Sequence, residues 1–354
     1  MKIPYNGVSH LTEIQMKQGI LNYSKQELIN LFSIKSIPKF RVDQILIWIY
    51  RFGKSSFYEM PNIGKNLQND LDSWFYIHRP KIVNILKSVD GTLKFLLELF
   101  DNQTIETVLI PEENRNTICL SSQIGCPLGC RFCNTGHNGF IRNLSTEEIL
   151  SQFLIAKEYL NNERLSNIVF MGMGEPLLNH NNVLKAIDNL MLDEQEGVSR
   201  RKITISTSGI ADVLKTISKD LKCRLAISLH APHDDIRSLI MPINNKFKIK
   251  DIMNACAEYS KYHKYLKITF EYLLLKNIND SAEHAHNLLE LLKGFNCKIN
   301  LLRFNAWNGC NFEESPIKNV KTFANILEKG GLVSPIRARR GEDIMGACGQ
   351  LSSN

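Results

Sequence analysis

The chain has 354 residues, is 44% apolar and 22% charged, and carries a net charge of +7, which is material for a substantial core and about two domains. No stretch approaches 18 uninterrupted apolar residues, and residues 1–17 are mixed and polar where a secretion leader would be apolar, so a soluble, cytoplasmic protein without membrane association is expected. Nine unevenly clustered cysteines, an odd number, do not form a secreted disulfide framework; in a reducing compartment such thiols bind metals or do chemistry.

In chain order, residues 20–77 read as helices. Apolar residues recur at helical spacing over 27–32 and 42–50, Ser24 is placed to cap the first, and Pro38 separates the two. The pattern continues over 57–75, with Pro61 and Gly64 as breaks. Residues 1–84 hold eleven Lys or Arg against six acids. A basic helical module of this kind suits a polyanion such as RNA; an ordinary solvated surface has the same composition. Its aromatics Trp48, Tyr50, Phe52 and Trp74 read as core or as base-stacking surfaces.

From Ile82 the period becomes that of strands. Residues 91–100 and 105–110 predict a hairpin around Asp101-Asn102, ended by Pro111. Glu106 sits in its second strand, where a lone carboxylate ordinarily faces solvent. Strands are then expected at 118–124, 167–171, 202–206, 224–229, 267–274 and 298–304. Helices are expected at 145–160, 180–192, 210–219, 249–262, 281–293 and 317–329. Six βα units imply a parallel sheet curled into an open or partial barrel. The expected domains are a helical RNA-binding accessory module (1–84), a β-hairpin extension (85–117) and the partial barrel with a C-terminal loop (118–354).

After the first strand comes Gly125-Cys126-Pro127-Leu128-Gly129-Cys130-Arg131-Phe132-Cys133, a C-x3-C-x2-C trio. Three thiols are one too few to close a metal site, which suggests an iron–sulfur cluster with one iron left open. A structural zinc with Cys119 or His137 as fourth ligand, or plain packing of the thiols, uses the same residues. The other strand ends are also polar: Gly172-Met173-Gly174-Glu175-Pro176, Ser206-Thr207-Ser208-Gly209, Ser228-Leu229-His230 and Asn305. In parallel α/β folds the site forms at these carboxyl ends. Glycines there let backbone approach a ligand, Glu175 suits a cationic amine, and the small hydroxyls suit a ribose or carboxylate. At the C-terminus, past a short strand expected at 332–337, Cys348 stands between Ala347 and Gly349 downstream of Arg337, Arg339 and Arg340. This is a thiol with small neighbours and cations that favour its thiolate, on a segment able to swing over the barrel mouth. Cys223, Cys256, Cys297 and Cys310 lack such surroundings and read as structural.

These motifs, with Ser121-Ser122-Gln123-Ile124-Gly125 and Ala347-Cys348-Gly349-Gln350-Leu351, resemble the radical S-adenosylmethionine (SAM) superfamily and, within it, the RlmN/Cfr group of RNA adenosine methyltransferases, over nearly the whole chain. Glu175-Pro176-Leu177 is more similar to RlmN than to Cfr. The resemblance implies a [4Fe-4S] cluster on Cys126, Cys130 and Cys133, whose open iron binds SAM and delivers one electron to form a 5'-deoxyadenosyl radical. It implies two SAM per turnover. One methylates Cys348; the radical from the other removes hydrogen from that S-methylcysteine, whose carbon then adds to the base. Cys119 matches the resolving thiol that frees the product by a transient disulfide with Cys348, and Glu106 the proton acceptor. Gly174, Glu175, Ser206, Ser228, Leu229, His230 and Asn305 match SAM-contacting positions. The implied substrates are 23S rRNA at the peptidyl-transferase centre and tRNA just 3' of the anticodon, methylated at adenosine C2. A reductant such as a flavodoxin system and a monomeric state are expected. Leu302-Arg303-Phe304-Asn305-Ala306 departs from the usual Pro-Trp-Asn-Pro of RlmN and Arg-Tyr-Asn-Pro of Cfr, which keeps a C8 methyltransferase in view beside the more distant zinc-stapled RNA-binding protein.

Overall fold

A computed structural model describes residues 17–113, 115–160, 165–192 and 196–352. Residues 1–16, on which the expectation of no secretion leader falls, lie outside the described residues. Strand β1 (Gln18–Gly19) precedes three helices, α1 (Lys25–Ile34), α2 (Phe40–Tyr50) and α3 (Lys65–Trp74), and β2 (Phe75–Tyr76) returns to pair with β1 in parallel. Ser24 caps α1 as expected, in a reciprocal capping box with Glu27. Tyr50 is wholly buried and Phe52 exposed; Trp48, half-buried, packs against Phe52 with ring centroids 4.6 Å apart.

Strands β3 (Lys81–Lys87), β4 (Leu93–Glu98), β5 (Thr104–Glu112) and β6 (Arg115–Cys119) follow as an antiparallel run. Pro111 does not end the hairpin: it pairs with Asn116, and β5 continues into a turn that feeds β6. The expected division at residue 84 falls inside β3, and the first barrel strand occupies 115–119, three residues earlier than its pattern suggested. The segment past Cys119 leaves the sheet; its last part forms β7 (Gln123–Gly125), which pairs with β8 (Phe140–Asn143) across a one-turn helix, α4 (Asn134–His137).

The remaining units are α5 (Thr146–Glu158), β9 (Leu165–Phe170), α6 (His180–Met191), β10 (Ile203–Thr207), α7 (Ala211–Ile217), β11 (Arg224–Ser228), α8 (Asp234–Ile240), α9 (Ile249–Tyr262), β12 (Ile268–Leu274), α10 (Ala282–Leu292), β13 (Cys297–Arg303) and α11 (Ile317–Lys329). Helix α8, a few residues after Ser228-Leu229-His230, is not predicted by periodicity, and neither are the short α4 and β8. Among the described residues nine strands form one sheet in the order β13-β12-β11-β10-β9-β6-β5-β4-β3. The six members from β6 to β13 are parallel and in sequence order, giving the partial (β/α)6 barrel, while β5, β4 and β3 extend it antiparallel. Strand β12 is buried at every position, as a central parallel strand covered on both faces must be. The segment expected as a strand at 332–337 runs beside β13 through an isolated Leu301–Ile336 bridge.

Helix α5 is buried over 146–156 because it lies between the sheet and the helical module. The Tyr76 hydroxyl donates to Glu147 Oε1 (2.7 Å), Ser151 Oγ to His78 O (2.9 Å) and Lys157 Nζ to Tyr50 O (2.8 Å). One continuous apolar core runs from Ile20 through Leu351. No helix among the described residues is long and apolar enough to cross a membrane.

Candidate active site

The sheet curls around a cavity of ≈ 460 Å³ whose walls include Cys119, Cys126, Cys130, Cys133 and Cys348, together with Gly174, Glu175, Ser206, Ser228, His230 and Asn305. These residues come from five strand ends and the C-terminal segment, so chain topology alone gathers them. Leu229 and Glu106 are not in the walls. The Leu229 side chain is buried in the core and its backbone does the work: its N–H donates to Glu271 O (3.1 Å), and its carbonyl accepts from Arg237.

The trio sits on a loop held from several sides. Cys126 N–H donates to Gly139 O (2.7 Å), Arg131 N–H to Ile240 O (3.0 Å), and the Trp307 indole N–H to Phe132 O (3.0 Å). Gly125, at φ +70°, has no room for a side chain: a Cβ there would lie 2.0 Å from Gly139 O. Burial raises all three thiols, Cys126 to about 12, so they deprotonate only onto a metal or its equivalent. Among the described residues no three His, Cys, Asp or Glu side chains converge as ligands of a single ion. Three thiols on one loop beside a cavity are a donor set that suits an iron–sulfur cluster.

The opposite wall is polar and shaped for a small ligand. Glu175 is buried, its two oxygens accepting from Leu177 N–H (3.0 Å) and Ser208 N–H (2.7 Å), and its own N–H donates to Gln123 Oε1 (2.8 Å). Burial raises its pKa against these donors. Gly174 stands at φ +95° with a would-be Cβ 2.5 Å from the Gln123 side chain, so only glycine lets this turn pass under β7. His230 also has a left-handed backbone, φ +58°, held by Asn279 Nδ2 on its carbonyl (2.7 Å). Leu273 N–H donates to its Nδ1 (3.0 Å), so the neutral ring carries its proton on Nε2; burial and Arg237 lower its pKa to about 3. Asn305 gives Nδ2 to Cys348 O (3.1 Å), while its Oδ1 is buried at the cavity wall with no partner. A buried acceptor left unpaired marks a place where a ligand donor fits.

Several residues of the site had no motif to mark them. Arg237 on α8 is fully buried and donates to Leu229 O (3.0 Å), Ser208 O (2.6 Å), Ser228 O (3.0 Å) and Asn244 Oδ1 (3.0 Å), lacing the ends of β10 and β11 together. Glu271 accepts from Asn300 Nδ2 (2.8 Å), and both line the cavity with Lys298 and Thr269. Their signal is a polar residue at every second place of otherwise apolar strands, which turns one face of β12 and β13 into the barrel bore.

The two distant thiols line this same cavity. Cys119 ends β6, buried, with Met171 N–H directed at its sulfur; burial and the neighbouring Cys348 raise its pKa. Cys348 is exposed and lines the cavity. Arg337 favours its thiolate, in the direction the sequence suggests, but desolvation by the walls is larger and raises its pKa. Among the other thiols, Cys223, Cys256 and Cys297 are buried as expected, and the Cys310 thiol donates to Arg131 O (3.7 Å) beside the trio's loop. Glu106 is no solvent-facing carboxylate: it is buried and ion-paired to Lys94 at 2.7 Å.

Comparison with known proteins agrees with this geometry. Residues 120–289 match the Radical SAM superfamily and residues 18–77 the ribosomal RNA large subunit methyltransferase N-terminal domain. A protein from Rhodospirillum rubrum named dual-specificity RNA methyltransferase RlmN is 43% identical over 344 residues, 95% of this chain and 80% of that one. The chain belongs to the RlmN family. A second RlmN, from Vesicomyosocius okutanii, is 43% identical over 95% of both chains. A radical SAM methyltransferase from Sphaerobacter thermophilus superposes with a TM-score of 0.90 at 34% identity, covering 95% of this chain and all of that one. The radical SAM family implies a [4Fe-4S] cluster and SAM for this RlmN-family chain.

Proposed function

We propose that this protein is a dual-specificity RNA methyltransferase that methylates C2 of adenosine in 23S rRNA and tRNA by way of S-methylated Cys348. The observation that carries the reading is that Cys348 and Cys119, more than two hundred residues apart in the chain, line the one cavity that is also lined by the cysteine trio. A zinc-stapled binding protein has no use for two further thiols there.

In this reading Cys126, Cys130 and Cys133 hold the cluster, with one iron left open. Gly174, Glu175, Ser206, Ser228, His230 and Asn305, with the Leu229 backbone, hold SAM. When bound, the cluster and two SAM per turnover supply a methyl group and the one-electron chemistry that activates it. The chain's own residues do the rest. Cys348 accepts and carries the methyl carbon, and Asn305 fixes its carbonyl. The base is joined to sulfur through that carbon, and the Cys119 thiolate attacks Cys348 Sγ to break the link. The carbon leaves with the bonding electron pair into the base and takes up a proton to become the product methyl group, and a Cys119–Cys348 disulfide is left for the electron donor to reduce. Both thiols have raised pKa values in the closed cavity, so each needs a proton acceptor at its moment of attack; Glu106 is proposed to take the proton from the base. The helical module grips RNA while the target base leaves its stack. The protein is proposed to work as a cytoplasmic monomer reduced by a flavodoxin-type donor.

Mass spectrometry of nucleosides from RNA treated in vitro tests this: 2-methyladenosine is expected, and 8-methyladenosine in its place overturns the C2 assignment. Anaerobic metal analysis should find iron with acid-labile sulfide; stoichiometric zinc without sulfide sinks the radical reading.

A further inference from the structure

Lys94 has no part in the chemistry so far, yet it is among the most enclosed cations of the fold. It lies on β4 and Glu106 on β5, where the register Lys94–Val108 and Leu96–Glu106 makes them diagonal neighbours on one face of an antiparallel pair. Their side chains are 9% and 7% exposed and meet at 2.7 Å. Each then reaches the C-terminal segment on a different side of Cys348. Lys94 Nζ donates to Met345 O (3.1 Å), and Ser352 N–H donates to Glu106 Oε2 (2.8 Å). Met345 has φ +53°, a left-handed backbone that a non-glycine residue keeps only where its surroundings hold it; the Lys94 contact is such a hold.

The same segment is docked along its length. Asp343 accepts from Ser88 Oγ (2.5 Å) and Val89 N–H (3.1 Å), and Gly341 N–H donates to Asp90 Oδ2 (3.0 Å), all on the turn between β3 and β4. On the trio's side, Asn134 Nδ2 donates to Gln350 O (3.0 Å) and Thr135 Oγ1 to Leu351 O (2.8 Å). A buried ion pair adds little net stability against an apolar pair of similar size, so what Lys94 and Glu106 contribute is the place of the segment they hold.

We infer that Lys94 is a positioning residue for Cys348, and that Lys94 and Glu106 form a latch that holds the Cys348 segment at the cavity. While the segment is docked, Glu106 has Oε1 on Lys94 and Oε2 on Ser352 N–H. When it swings out, Lys94 loses Met345 O and Glu106 loses Ser352 N–H in one movement, so Oε2 is free to receive a proton only after Cys348 has left its docked place. This rests on the reading of Cys348 as the methyl carrier.

Hydrogen–deuterium exchange on the intact, cluster-loaded protein tests it. In Lys94→Met, amides of residues 346–352 should exchange about tenfold faster, while those of β4 and β5 stay within about twofold. Lys94→Arg, which keeps the charge and a donor, should stay near wild type. In turnover, Lys94→Met should lower kcat about tenfold with KM for RNA unchanged, since Lys94 is buried away from any RNA. Unchanged exchange over 346–352 overturns the latch, and so does an equal rise throughout β4 and β5, which would make Lys94 merely structural. Should Lys94→Met not fold, Lys94→Gln is judged by the same contrast. Exchange is read without RNA or turnover. Normal 2-methyladenosine formation with an undisturbed segment therefore sinks the latch alone, and a segment-specific opening in a protein that methylates nothing sinks the methyltransferase reading alone.

Discussion

The thiol of Cys119 sits buried at the last position of β6, on the cavity wall, and its proposed task is to cut the protein free of its product. Cys119→Ala removes that thiol and leaves Cys348 in place. The variant should form the bond to RNA and fail to break it, so a protein–RNA adduct should accumulate on denaturing gels; a variant that turns over normally would remove the resolving role. Glu106 shows how far a single residue can be misjudged from a pattern. A carboxylate on an alternating strand reads as solvent-facing, but β5 is covered on that side by the C-terminal segment, and burial raises the Glu106 pKa while Lys94 and Ser352 N–H draw it back.

Elements are joined by side chains that sequence periodicity does not reveal. Arg237 binds α8 to the ends of β10 and β11, and replacing it with Met leaves the carbonyls of Ser208, Ser228 and Leu229 without their donor. Arg237→Met should lower stability by about 3 kcal/mol, read as a lower urea midpoint, and the loosened strand ends should weaken SAM binding. Helix α5 meets the helical module through Glu147, whose Oε1 accepts from Tyr76 while Oε2 is buried without a partner against Gly19. Burial raises the Glu147 pKa to about 7 from an ordinary value of 4.5. Because the folded-state value is the higher one, the folded protein favours the protonated form. The stability this provides is fully present below pH 4.5 and is lost as pH rises through 7. Glu147→Gln is neutral throughout, so it should remove a pH-dependent loss on the order of 2–3 kcal/mol. The fall in melting temperature between mildly acidic and mildly basic buffer should shrink in the variant; an identical fall in both proteins would reject the assignment.

At the scale of the molecule, one apolar core spans the helical module, the sheet and Leu351 of the C-terminal segment, and the trio lies at its margin. The fold therefore does not depend on a metal as a zinc finger does. Removing iron with a chelator should abolish methylation while leaving the far-ultraviolet circular dichroism unchanged, and collapse of that signal would show the cluster to be structural. The large cavity at the strand ends is also why so much was readable in advance. Six βα units predict where a site must form, and polar motifs after each strand then select themselves as its walls.

The amino-acid sequence by itself determined the helical module, the six parallel units and the family, because those signals are local or periodic and survive without knowing what packs on what. It misplaced the first barrel strand and the end of the hairpin, since Leu120 and Ile124 continue the strand's alternation past Cys119, and a proline is tolerated at the ladder's end. Only the tertiary structure decided that Cys119 and Cys348 share a cavity, that Lys94 pairs with Glu106 beneath the C-terminal segment, and that Arg237 ties the strand ends. Each depends on strand register, on closure of the sheet or on the path of the last residues, and a shift of one residue in register would turn the strand residues Cys119, Lys94 and Glu106 to the other face.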